Sequence, residues 1–266
     1  MKKINIIGCG LMGAQIASLF SIMGYEVNIW NRSQINQNNL LRQKKITLKL
    51  LKAEDKNGEI KFINNFDDIK DNITIESLSE DLELKRSFIE KLDKKVSKEI
   101  FSNSSSIKMK KISKKLNLLH FFNPISLKIA EFNKIDKLSE EANNIFADLK
   151  NLNFDLIEVG NFTGFAFNKI LFAEISNLFF LIEQENIEKK EIFKVFKKIN
   201  HSLDILHTID IIGVDISIKI LENLKSEYNY YVPQILYQCE SSKILGKKNK
   251  TSIKTIFESS NYPNNK

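Results

Sequence analysis

The sequence predicts an α/β protein: a doubly wound parallel sheet over residues 1–161, followed by an all-helical domain over residues 162–266. Three observations predict it. Short β-type runs alternate with helical patterns as far as about residue 160. Beyond that point apolar residues recur at helical spacing without strand-like runs. A glycine-rich turn closes the first β-type run and opens a helix, as a parallel sheet with a ligand crevice requires.

The predicted strands are, in order, INIIG (4–8), EVNIW (26–30), ITIES (73–77), EIFSN (99–103), NLLHFF (117–122) and FDLIEV (154–159). Their β-branched and aromatic content suits buried strands, and the helical patterns between them supply the crossovers that parallel strands need. The helical domain opens with TGFAFNKILFAEISNLFFLIEQE (163–185) and continues through DISIKILENLKSEY and VPQILYQCESSKIL. Its Phe165, Phe167, Phe172, Phe179 and Phe180 suit a core or a subunit interface.

Composition narrows the function classes. The 266 residues are 42% hydrophobic and 27% charged, an ordinary balance for a soluble protein, and no apolar run approaches the roughly 20 residues of a membrane span. The start, Met1-Lys2-Lys3 and a brief apolar run, leads directly into the glycine turn and reads as a cytoplasmic N-terminus. Cys9 and Cys239 lack zinc or redox spacing, so neither a disulfide framework nor a metal site is expected. The formal charge of +7 invites an anionic partner, yet the lysines lie in scattered pairs from Lys44-Lys45 to Lys247-Lys248 and form no stripe interleaved with aromatics. Nucleic acid is not expected as a partner.

The glycine turn is Gly8-Cys9-Gly10-Leu11-Met12-Gly13, continuing into the helical AQIASLFSIMG. The first glycine of such a loop makes a tight turn, the second lets backbone approach a pyrophosphate, and the third lets helix and strand pack closely. Residues 8–13, Leu11 and Met12 included, are therefore expected to bind a dinucleotide through a Rossmann-type fold. Where NAD-binding chains place Asp or Glu for the ribose 2′-OH, this chain has Asn31-Arg32-Ser33. A neutral Asn31 beside a guanidinium keeps two cofactors open: NAD, and NADP as a close alternative.

One further stretch carries chemistry. In LLHFFNPISLKIAEF (118–132) a histidine stands in apolar surroundings with one carboxylate eleven residues on, at Glu131. A buried imidazole needs hydrogen-bonded nitrogens, so His120 is either a satisfied core residue or a proton-transfer group. With this stretch the chain resembles the L-3-hydroxyacyl-CoA dehydrogenase family, to which 3-hydroxybutyryl-CoA dehydrogenases belong. The likeness runs through IIGCGLMGAQIA, TIESLSEDLELKRSFIEKLDK, FSNSSSI, LHFFNPISLKIAE, TGFAFNKILF, IDIIGVD and YYVPQILYQC, nearly the whole chain in order. It implies reversible oxidation of an L-3-hydroxyacyl thioester, with a short acyl chain. His120 would be the base that takes the hydroxyl proton, and Glu131 the carboxylate that orients it. Ser105 and Asn168 would hold the reacting oxygen. Glu80, Lys85, Asn103 and Asn123 would line the nicotinamide and its ribose. The resemblance also implies a homodimer built on the helical domain.

The chain departs from the family pattern in several places. Three residues, where the family has four, separate Asn123-Pro124 from Lys128, which bears on the reach from His120 to Glu131. Thr163 replaces a proline, and Asp204-Ile205 replaces a Gly-Pro pair. Residues 34–62 leave room for one helix instead of the hairpin that helps the family hold CoA. A carrier-protein-bound or free 3-hydroxy acid thus stands as an alternative substrate, and a diverged, non-catalytic homologue as an alternative role. His201 and His207 are expected to be structural.

Overall fold

Five β-branched or apolar strands in parallel order build the middle of the N-terminal sheet, and each is buried because helices cover both faces. In the computed structural model, which describes residues 2–160, 165–185, 187–199, 204–259 and 262, the elements follow as β1 (Lys3–Ile7), α1 (Leu11–Ile22), β2 (Glu26–Trp30), α2 (Gln37–Leu51), β3 (Ile60–Ile63), β4 (Thr74–Glu76), α3 (Leu82–Asp93), β5 (Ile100–Ser102), α4 (Met109–Ile112), β6 (Asn117–Phe121), β7 (Ile129–Asn133), α5 (Glu140–Asn151) and β8 (Asp155–Glu158). Thr163 and His201 lie outside the described residues. The chain divides into two compact units, Met1–Phe165 and Ala166–Lys266.

The strand order in the first unit is β3-β2-β1-β4-β5-β6-β7-β8. The first six positions follow the doubly wound order, with the reversal point between β1 and β4, where such sheets open a ligand crevice at their carboxyl ends. Helix α1 is apolar on most of its surface and is buried along Ile16, Ala17, Leu19 and Phe20, so it is a core element of the unit. Side-chain caps begin the more exposed helices: Asn36 accepts from the Asn39 amide, Asp81 from that of Leu84, and Ser139 from that of Ala142.

Two strands differ from the sequence expectation. β3 is a four-residue edge strand interrupted by the exposed Lys61, too short and too polar to carry a periodic signal. β7 pairs antiparallel with β6, against the all-parallel expectation. Only residues 122–128 join the two strands, and a parallel return needs a crossover of about a dozen residues or more, so the chain folds back as a hairpin instead. β8 then returns parallel to β7 by way of α5. Between β2 and β3 the chain forms one helix, α2.

The second unit contains α6 (Phe165–Glu183), α7 (Lys189–Ile199), α8 (Ile205–Ile212), α9 (Val214–Tyr228), α10 (Gln234–Ser241) and α11 (Lys254–Phe257). Phe172, Ile175, Phe179 and Ile182 recur every three or four residues on α6 and are fully buried in its core, whereas Phe167 and Phe180 on other faces are exposed. The Glu183 carboxylate ties this core together, accepting from the hydroxyls of Tyr231 and Tyr262 and from the amides of Gln234 and Ile235 at the start of α10. Asp204 caps α8 by accepting from the His207 amide at 3.0 Å. The departure at 204–205 has thus replaced one helix-starting device with another. The imidazole of His207 meets the Lys247 ammonium at 3.2 Å.

Candidate active site

The glycine loop follows β1 at the crevice. Gly8 has φ +96°, and a Cβ there would stand 2.5 Å from the Ser77 carbonyl; at Gly13 it would stand 2.0 Å from the Gly8 carbonyl. Both positions are closed to any other residue by the protein itself. Gly10 is different: a Cβ there meets nothing within 4 Å. Its bareness serves no internal packing and leaves backbone open on the crevice side. Gly10 also begins α1 without a side-chain cap, and the first turn carries no acid. The uncapped amides and the positive end of α1 therefore suit a pyrophosphate. Leu11 is 61% exposed beside them, and Met12 is half-buried. The cradle fits the group that the motif implies.

At the end of β2, Asn31 turns its side chain toward this loop. Its Oδ1 accepts from the Cys9 amide at 3.0 Å, and its Nδ2 donates to the Ser33 carbonyl and hydroxyl oxygens at 3.0 and 2.9 Å. Arg32 is exposed and makes no hydrogen bond or ion pair among the described residues. Burial pushes the Cys9 thiol up, away from the thiolate form.

After β4 and β5 lies a buried chain of charges. The Lys85 ammonium, on α3 and 0% exposed, donates to Glu76 Oε1 at 2.6 Å and to the Leu78 carbonyl, and stands 3.7 Å from Glu80 Oε2. Glu76 Oε2 accepts from the Ser102 hydroxyl at 2.6 Å. Glu80 Oε1 gathers the hydroxyls of Ser104 and Ser106 and the amides of Ser105 and Ser106, all within 3.0 Å. Burial works to raise the Glu80 carboxyl, but Lys85 and the serine donors outweigh it and hold it below the ordinary carboxylate range. Desolvation likewise opposes the charge on Lys85, and the attraction of Glu76 and Glu80 prevails and raises it. Lys85 and Glu80 are thus no solvated face: Lys85 supports Glu80, and Glu80 shapes the Ser104–Ser106 turn that carries Ser105.

The hairpin β6–β7 brings His120 opposite Glu131 in register, with imidazole Nδ1 3.1 Å from Glu131 Oε2. The three-residue linker bears on this reach without preventing it. Ile125–Leu127 makes one 3-10 turn, and Lys128 reverses the chain at φ 56°. His120 is 7% exposed and Glu131 1%, and the ring of Phe122 packs 5.1 Å from the imidazole. A neutral imidazole beside a carboxylate carries its proton on Nδ1, which makes Nε2 the basic nitrogen.

Three amides fix this hairpin. Asn103 Oδ1 accepts from the Phe121 amide at 2.8 Å, next to His120. Gln15 on α1 donates to Asn123 Oδ1 at 3.1 Å and accepts from the Ile125 amide at 2.8 Å. Sequence reasoning missed both Gln15 and Glu76, since neither lies in a motif whose spacing announces its partner. Asn168 is buried on α6 of the second unit. Among the described residues, no group of three or more His, Cys, Asp and Glu could hold a metal ion.

The glycine loop, Asn31, Glu76, the Ser104–Ser106 turn and His120 lie near or just beyond the carboxyl ends of β1, β2, β4, β5 and β6, where doubly wound sheets bind their ligands, and the antiparallel β7 brings Glu131 in beside His120. An anion cradle and a proton-accepting imidazole on that one edge are the parts of an oxidoreductase that works with a nicotinamide dinucleotide. Known proteins supply the family. Residues 3–152 match the NAD binding domain of 3-hydroxyacyl-CoA dehydrogenase, and residues 164–255 match its C-terminal domain. The chain belongs to the 3-hydroxyacyl-CoA dehydrogenase family. It is 26% identical over 247 residues to a probable 3-hydroxybutyryl-CoA dehydrogenase of Bacillus subtilis, covering 85% of this chain and 86% of that one. The crystal structure of (S)-3-hydroxybutyryl-CoA dehydrogenase from Ralstonia eutropha superposes with TM-score 0.75 at 26% identity, over 95% of this chain and 98% of that one. FadB2 of Mycobacterium tuberculosis shares the fold with TM-score 0.82 at 21% identity, again over 95% and 98%.

Proposed function

We propose that this chain interconverts a short-chain L-3-hydroxyacyl thioester and its 3-ketoacyl form, with a nicotinamide dinucleotide as hydride carrier. The observation that carries the reading is the opposed His120–Glu131 pair, 3.1 Å apart and withdrawn from water. The nicotinamide, when bound, exchanges a hydride with C3 of the substrate. His120 Nε2 takes the hydroxyl proton as the C3–O bond becomes a carbonyl, and returns it in the reverse direction. Glu131 keeps the ring in the right tautomer and stabilises the imidazolium that forms. Ser105, presented by the Glu80-organised turn, and Asn168 are assigned to hold the reacting oxygen. Residues 8–13 hold the pyrophosphate, and Asn103 and Asn123 position the hairpin beside the nicotinamide. Glu80 and Lys85 act through the serine turn.

The thioester carrier is the finer part of the reading. CoA is supported by the family, and the single helix between β2 and β3 favours, as a second reading, a carrier that depends less on the adenine end. Comparing acetoacetyl-CoA with the acetoacetyl thioester of pantetheine separates them: a large loss of kcat/KM on truncation supports CoA recognition, and equal values support the alternative. We place the enzyme in the cytoplasm, and as a homodimer through the second unit. The exposed Phe167, Ile170 and Phe180 of α6 support that interface. The deciding test of the function is turnover of acetoacetyl-CoA by the wild type and by His120→Ala. A folded variant that keeps most of its activity rejects the assignment.

A further inference from the structure

We propose that the adenosine end of the dinucleotide site takes a ribose 2′-phosphate, so that the cofactor of this chain is NADP(H). The inference rests on the reading of the glycine loop as a dinucleotide cradle, and it goes against the NAD usage expected of the family.

A chain that selects NAD places a carboxylate at the end of β2, where it accepts from the ribose hydroxyls and repels a phosphate. Asn31 does neither. Its acceptor oxygen is engaged by the Cys9 amide and its amide group by Ser33, so it has become part of the loop's own scaffolding. The two residues that follow have the complementary chemistry. Arg32 is exposed, with no hydrogen-bond or ion-pair partner among the described residues. A guanidinium presents a planar fork that matches phosphate oxygens. The Ser33 hydroxyl oxygen accepts from Asn31 Nδ2, which leaves its own proton to donate.

The surroundings have the same sign. From Val27 to Ala53 the chain contains no Asp or Glu, while Arg32, Arg42, Lys44, Lys45, Lys49 and Lys52 all fall within it. Among the described residues only Lys44 of these is paired, with Asp55 at 3.1 Å. The loop after β2 therefore presents the positive charge of Arg32, unpaired among the described residues and with no acid from Val27 to Ala53 to oppose it, next to Asn31 and the glycine loop that Asn31 binds. A free hydroxyl gains little from that field, whereas a phosphate dianion gains a directed, salt-sensitive attraction.

The test measures dissociation constants for NADPH and NADH by the fluorescence of the reduced nicotinamide, on wild type, Arg32→Ala and Arg32→Lys. Calorimetry with 2′,5′-ADP and 3′,5′-ADP accompanies it. We expect NADPH to bind tighter by about tenfold or more, Arg32→Ala to remove most of that margin with NADH nearly unaffected, and Arg32→Lys to restore part of it. Added salt weakens NADPH more than NADH. The 2′,5′ isomer should depend on Arg32; a 3′,5′ isomer that depends on it equally assigns the arginine to the phosphate of CoA and overturns the proposal. Equal or tighter binding of NADH to the wild type also overturns it, as does an NADPH affinity indifferent to Arg32→Ala. If NADH binds and reduces acetoacetyl-CoA, the dehydrogenase reading stands and the NADP inference alone falls. If neither dinucleotide binds, both fall.

Discussion

The two ends of the dinucleotide crevice are built on opposite principles. At the end proposed to be catalytic the titratable groups are buried against partners: Glu131 against the His120 imidazole, and Lys85 between Glu76 and Glu80. At the adenosine end Arg32 stands in water with no partner among the described residues. A buried charge must be compensated from within, because desolvation otherwise outweighs whatever it gains. An exposed charge can await a ligand at little cost to the fold. Substitutions at the first end should therefore damage chemistry or stability, and substitutions at the second should change affinity alone.

The largest break in that contrast is expected from His120→Ala, which should lower kcat by about 10²–10⁴-fold while leaving the dinucleotide dissociation constant nearly unchanged. Steady-state kinetics together with fluorescence titration check it. Lys85→Ala comes next. It leaves Glu76 and Glu80 facing one another without their cation, and should cost roughly 3–5 kcal/mol in denaturant unfolding. Arg32→Ala should stay within about 0.5 kcal/mol in the same assay, and a comparable loss there would erase the distinction between the two ends. Removal of the α8 cap by Asp204→Ala should cost about 1 kcal/mol without touching kcat.

The charge chain also predicts a pH window. Glu80 is held below its ordinary range in the folded state, so its contribution is present above the unfolded carboxylate value near about 4.3 and is lost as pH falls through the lower folded value. Lys85 is raised, so its contribution is present below about 10.4 and disappears as pH climbs through the higher folded value. Unfolding free energies should fall at both ends of that range, the alkaline fall starting earlier, near the ordinary thiol value of about 8.5, because the buried Cys9 thiol is raised as well. Glu80→Gln should remove much of the acid limb, and an unchanged limb would show that other carboxylates set it.

Much of this was legible in the sequence because it is local. The glycine loop, the His120 stretch and the absence of an acid at residue 31 are each readable within a few positions of a strand end. The parts that escaped are pairings across distance. Glu76 reads as an ordinary strand residue until α3 brings Lys85 against it, and Gln15 reads as one polar position on an apolar helix until the chain returns 110 residues later to present Ile125. β7 escaped although its central residue, Glu131, was singled out. A five-residue strand behind a seven-residue return has too little pattern to show its direction, and only its pairing with β6 reveals that His120 and Glu131 share a rung.

The Gln15 clamp has a consequence for how the enzyme would tolerate different acyl groups. One end of α1 opens at the glycine loop proposed to receive the pyrophosphate, and a side chain on the next turn grips the bend that carries Asn123 and leads back to Glu131. Both are surveyed from one benchmark. The span from the cofactor's anchor to the proton acceptor is a fixed gauge, set before any substrate arrives and indifferent to its length, so a longer or bulkier acyl chain must be fitted by parts of the protein that do not belong to the gauge.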